Sequence, residues 1–258
     1  MCIRDSVGPF IGKLLIQRLV KANPSPAYIA RVTAAFNNNG QGVRGDMKAM
    51  IRAILLDEEA ADCPMAEEAL DGMLREPMVR YTQLMRAFNA TSPSMIFRND
   101  MNEFYAFTFQ RPLASPSVFN FFQQDYQPIG PIEENGLVAP VFQIANSVST
   151  VGYNDLLHEW IFDENYLEYQ SLFSGEVKQS DFTEAYLDLS DELALQDTDN
   201  IGTLVERLNL LLMHGNMTDR TRALLTNALK RIPEERIEYR VKMAIYLVMV
   251  SPDYLIFR

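Results

Sequence analysis

Residues 201–250 read IGTLVERLNLLLMHGNMTDRTRALLTNALKRIPEERIEYRVKMAIYLVMV, and this stretch decides the fold class. Apolar residues fall at Leu204, Leu208, Leu211 and Leu212, then at Leu225, Leu229 and Ile232, then at Ile237, Val241, Ile245 and Val248. Steps of three and four residues put each set on one face of an α-helix. Thr218 is placed to cap a helix running to Arg231, and Pro233 opens the next. Three helices are predicted, at about 200–214, 218–231 and 233–250. Their connections are so short that the three must be antiparallel neighbours in a bundle.

The same period runs upstream. One set is Met47, Met50, Ile51, Ile54 and Leu55; another is Met78, Tyr81, Leu84, Met85 and Phe88; a third is Val141, Ala145, Val148, Gly152, Leu156 and Trp160. Ser25-Pro26 opens a helix carrying Ile29, Val32 and Phe36, Asp46 is placed as an N-cap, and Glu76-Pro77 and Ala139-Pro140 put proline at helix starts. No run alternates strictly between turn residues. The reading is an all-α, multi-helix globular bundle of about nine or ten helices. Residues 7–258 read as a single helical unit: 7–90 helical, 91–137 irregular, 138–258 a helical bundle.

The irregular stretch is rich in proline and aromatics. Nine rings lie between Phe97 and Tyr126, three times the density of the whole chain, so this is no flexible linker, which would be polar. Buried rings are expected to pin it, with a short helix near Ser117–Phe122. Two readings stay open. Phe119, Phe121, Phe122 and Tyr126, flanked by Arg98 and Arg111, form a platform for a sugar or a protein partner. Alternatively the rings plug the core under a loop, which the predominance of Phe favours.

The chain has 258 residues and a net charge of −11, which excludes general binding to a phosphate backbone; no nucleic-acid partner is expected. The charge is concentrated: Asp155–Glu206 holds fourteen acids against Lys178 alone, and the remainder is nearly neutral. Two cysteines exclude a disulfide framework or a cysteine-rich zinc module. No stretch is long and apolar enough for a membrane span. Phe10–Val20, interrupted by Lys13, Gln17 and Arg18, reads as an amphipathic helix rather than a signal sequence. Residues 1–6, MCIRDS, do not share the pattern of the chain from Val7 onward. They resemble a translated adapter sequence of the kind found at the ends of proteins predicted from environmental assemblies; the alternative is a short disordered start. In the first case Cys63 is the only native cysteine.

Motifs that suggest chemistry have plainer readings. Gly40-Gln41-Gly42-Val43-Arg44-Gly45 matches the dinucleotide fingerprint by letter, but a helix precedes it and Asp46 would set a carboxylate where pyrophosphate belongs. A helix–loop–helix connection is expected. Asp197-Thr198-Asp199-Asn200-Ile201-Gly202 echoes a calcium loop, yet its fifth position is Ile201 and its twelfth Leu208. His158 and His214 lack a second histidine at helical spacing, so no zinc pair is expected. Cys63 has acidic neighbours, which raise a thiol pKa. Ser115, Ser117 and Ser251 lack a nucleophile elbow, and Glu133-Glu134 reads as surface charge. No catalytic residue, cofactor or metal is predicted.

Several further runs carry a resemblance. They are Gly8-Pro9-Phe10-Ile11, Leu15-Ile16-Gln17-Arg18-Leu19-Val20, Asn23-Pro24-Ser25-Pro26-Ala27-Tyr28-Ile29, Phe36-Asn37-Asn38-Asn39-Gly40, Val43-Arg44-Gly45-Asp46 and Ala53-Ile54-Leu55-Leu56-Asp57. Arg75-Glu76-Pro77-Met78, Pro116-Ser117-Val118-Phe119-Asn120-Phe121 and Tyr246-Leu247-Val248-Met249-Val250-Ser251-Pro252-Asp253-Tyr254 complete the set. In order, they resemble the C-terminal half of the bacterial family called domain of unknown function 1800. The resemblance implies a helical fold, a chain about twice as long whose N-terminal half holds the His-Asp-type motifs, and export, so a periplasmic or extracellular location. It brings no established activity. The implied partners are that N-terminal half and an exported protein; Phe10, Ile11 and Leu14 would then be exposed where the half packs. The implied function is a non-catalytic, envelope-associated binding or assembly protein. The alternative is a hydrolase on extracellular polymer whose active site lies largely in the other half.

Overall fold

The computed structural model describes residues 3–61, 72–91, 101–118, 120–162, 187–195 and 201–257. Among these the chain is mostly α-helical, with two two-residue strands, β1 (Met73–Leu74) and β2 (Ile256–Phe257). It forms two compact units. The first takes residues up to Leu74 together with Phe122–Gln143, and the second takes Arg75–Phe121 and Ile144–Phe257.

Unit 1 is built on α1 (Ile3–Leu19), α2 (Pro26–Asn37) and α3 (Met47–Leu55), followed by the single turns α4 (Glu58–Ala61) and α7 (Pro131–Glu134). Helix α1 starts well before the amphipathic run at Phe10. Pro9 costs one main-chain bond without ending it. Ile16, Tyr28, Val32, Phe36, Met50 and Ile54 form the core. Ser25 caps α2 through Tyr28 N, and Asp46 caps α3 through Lys48 N and Ala49 N, both as expected. The α2–α3 loop folds on its own side chains. Asn38 Oδ1 accepts from Gly40 N and Gly42 N, and Asn39 Oδ1 from Gln41 N and Val43 N. Asn39 Nδ2 donates to Asp46 Oδ2 at 2.8 Å. Gly40, Gly42 and Gly45 take φ of 90°, 79° and 81°, which the turns require. This is the expected helix–loop–helix connection. The α3 set does not share one buried face, however. Met50 and Ile54 are buried, while Met47, Ile51 and Leu55 are 42%, 40% and 51% exposed. Phe10 is likewise exposed; Ile11 and Leu14 are half-buried.

Unit 2 holds α5 (Pro77–Ala87), α6 (Met101–Thr108), α8 (Ser147–Phe162), α9 (Ser190–Ala194), α10 (Ile201–Met213), α11 (Asp219–Leu229), α12 (Ile237–Met249) and α13 (Pro252–Leu255). The three predicted C-terminal helices are α10, α11 and α12, and they pack on one another. Leu204, Leu208, Leu212, Leu225, Leu229, Val241, Ile245 and Val248 meet in their core, with Leu157 of α8 and Leu84 of α5. Thr218 caps α11 through Thr221 N.

Four expectations need correction. The described residues from Ser117 to Phe122 are not helical: Ser117 and Asn120 form an antiparallel bridge, with Asn120 at φ 75°, a conformation that Asn tolerates. Within the stretch expected to be irregular, Met101–Thr108 is helical. Its packing supplies the reason: Phe107 lies so close to Gly152 on α8 that a Cβ there would fall 2.7 Å from Phe107 Cβ. Pro140 opens a 3-10 turn, Pro140–Ile144, and α8 begins only at Ser147. The thirteen α-helices among the described residues exceed the expected nine or ten because single turns carry no readable period.

Candidate functional site

Four of the six residues of the aromatic platform lie among the described residues. Arg98 and Phe119 lie outside the described residues. Phe121 and Arg111 belong to unit 2, with Arg111 over the Tyr105 ring at 5.5 Å. Phe122 and Tyr126 belong to unit 1. Phe122 is buried, and the Arg18 guanidinium lies 4.0 Å above it, while Tyr126 is half-buried. His158 is exposed and stacks on Phe162 at 4.8 Å. His214 comes directly after α10 at φ 55°, and Ser251 caps α13. Ser115, Ser117, Glu133 and Glu134 are exposed. Cys63 and Asp197–Asn200 of the calcium-like loop lie outside the described residues. Among the described residues no three His, Cys, Asp or Glu side chains could hold a metal. A polar concavity of about 680 Å³ borders the α2–α3 loop, but its carboxylates already serve the fold: Asp46 caps α3, and Asp57 pairs with Arg31.

A different cluster stands out in unit 2. Pro77 starts α5, and the buried Gln110 holds that start by accepting from Met78 N and donating to Glu76 Oε2. This fixes Arg75 just before the helix and Arg80 one turn into it. Both are buried, at 6% and 7% exposure. Arg80 Nε donates to the Arg75 carbonyl at 2.8 Å, and its guanidinium lies 4.6 Å over the Tyr153 ring. Arg75 lies 4.7 Å over Tyr254 and 5.2 Å over Phe257. Its Nη1 donates to Gln83 Oε1 at 2.6 Å, an oxygen that also accepts from Tyr254 OH at 3.1 Å. Gln83 is anchored in turn by donating to Leu212 O.

No carboxylate of the described residues pairs with either guanidinium. Desolvation costs several kcal/mol per buried ion, and a cation–π contact returns only about 2 kcal/mol. Burial pushes both guanidiniums below their ordinary pKa, and for Arg75 the neighbouring charge of Arg80 adds to it. Burial also pushes Tyr254 up to about 12, and Tyr153 up further. Arg75 Nε has no acceptor, and the Tyr153 hydroxyl, whose oxygen faces the Arg80 guanidinium, has none for its own hydrogen.

Residues 3–256 match the family described as "Protein of unknown function (DUF1800)". The chain belongs to this family. No curated protein and no solved structure matches it. Within this DUF1800 chain, the Arg75-Glu76-Pro77-Met78 run that carried the resemblance supplies one of the two arginines. The sequence reading gave neither arginine a role. A signal was present: Pro77, Arg80, Tyr81 and Leu84 are the buried residues of α5. Arg80 thus sits at i and i+3 spacing on the apolar face of its helix, where an arginine needs a reason.

Proposed function

We propose that this DUF1800 chain is a non-catalytic binding or assembly protein of the bacterial envelope that acts with an exported partner. The arginine centre of unit 2 is the observation that supports this. Its groups are two guanidiniums, whose pKa burial lowers, and two phenols, whose pKa burial raises so that they stay protonated. Such groups donate hydrogen bonds and attract negative charge; they do not shuttle protons near neutral pH. A centre of this chemistry suits recognition. The test is affinity capture of the tagged protein from the envelope of a bacterium that carries it. A stoichiometric exported partner is expected, and its capture should fall when Arg80 is replaced by Gln while helical circular dichroism is retained. A cytosolic location with no specific co-purifying protein would sink the reading.

A further inference from the structure

Two positive side chains share a buried site in unit 2, and each donates to a neutral acceptor. Arg75 holds Gln83 Oε1, and Arg80 holds the Arg75 carbonyl. What the centre lacks is negative charge. Two donor hydrogens have no acceptor: that of Arg75 Nε, on a residue 6% exposed, and that of the Tyr153 hydroxyl, on a residue 2% exposed, whose oxygen faces the Arg80 guanidinium. A water can satisfy a donor, but it leaves the two like charges uncompensated. A guanidinium fork matches the paired oxygens of a carboxylate or phosphate, and an added phenol O–H gives a third donor of the same sense.

We propose that Arg75, Arg80 and Tyr153 form a binding site for a small oxyanion, the shared chemistry being a phosphate or carboxylate group. The tyrosine and phenylalanine rings stacked on the guanidiniums orient the forks and exclude water, which strengthens every charge-assisted bond made there. The inference rests on the binding reading above, because it names the ligand class of that same centre.

The whole chain is titrated with inorganic phosphate and, separately, with acetate, at constant ionic strength set by sodium chloride. Calorimetry and thermal unfolding are the readouts. Saturable binding of at least one oxyanion is expected, with a rise in Tm. Tyr153→Phe keeps the ring and removes one donor, so it should weaken the apparent Kd about tenfold. Arg80→Lys keeps the charge and loses the fork, and should weaken it at least as much. Stronger binding of phosphate than acetate assigns a phosphate group; the reverse order assigns a carboxylate. An effect that chloride reproduces, the absence of saturation, or equal affinity in wild type and both variants would overturn the proposal. Partner capture that persists without oxyanion binding overturns this inference alone. Oxyanion binding without a partner overturns only the partner reading.

Discussion

Single residues in unit 1 show how polar groups are handled below the surface. Tyr28 is fully buried, and its hydroxyl donates to the Ile54 carbonyl at 2.6 Å. Burial, with Asp57 and Glu59 nearby, raises its pKa to about 12. Tyr28→Phe strands that carbonyl and should cost about 1–3 kcal/mol in urea unfolding. Asp57 accepts from Arg31 Nε at 2.7 Å and from Glu59 N at 3.0 Å. The hydrogen bond from Arg31 holds its pKa below the ordinary carboxylate value, against the opposing effect of desolvation. A lowered folded pKa means that Asp57 contributes stability above the unfolded value of about 3.9. That contribution is lost as pH falls from there through the folded value. Unfolding measured at pH 5 and pH 3 should show a smaller acid loss for Asp57→Asn than for the wild type. An equal loss in both proteins would place the acid sensitivity elsewhere. At this scale the sequence was least legible. Helical period marks Arg80 as inward-facing, but nothing in the letters shows that Tyr153, over seventy positions away, would lie against it.

Helices were far more legible, because their signals are local. Ser25, Asp46 and Thr218 cap the helices expected of them, each through its own side-chain oxygen. The three C-terminal helices follow from spacing alone. Helix α6 was missed because its formation depends on a distant neighbour. Phe107 packs into the space left by Gly152, and Phe104 stacks on Trp160 at 5.8 Å, contacts no local pattern records. Gly152 therefore works as a notch. Gly152→Ala drives a methyl group into Phe107 and should cost about 1–3 kcal/mol, despite the better helix propensity of alanine. Thermal unfolding decides the sign; a gain in stability would show that α6 and α8 do not meet this closely.

At the scale of the molecule, each of the two units has its own hydrophobic core, and the probes available for them differ. Trp160, the only tryptophan, packs against Tyr81 at 4.7 Å and so reports on unit 2. Circular dichroism reports on helices in both. Ile54→Ala empties part of the unit 1 core and should cost about 2–5 kcal/mol locally. The dichroism transition should then begin at a lower temperature, while the Trp160 fluorescence midpoint moves little. Coincident shifts in both probes would show that the units unfold as one cooperative body. The loop between α2 and α3 bears on a slower kind of change. Asn39-Gly40 is a sequence prone to deamidation, a reaction in which the next residue's amide nitrogen attacks the asparagine side chain. In the fold that nitrogen donates to Asn38 Oδ1 at 2.9 Å, and the Asn39 amide is held by Asp46. Asn135-Gly136 is held in the same way, with Gly136 N bonded to Glu133 O and the Asn135 amide to Pro131 O. Both asparagines should stay intact in the native protein for as long as these bonds persist, and should begin to convert once the chain unfolds. Mass spectrometry of folded and urea-held samples stored side by side would then read the age of the molecule as time spent unfolded.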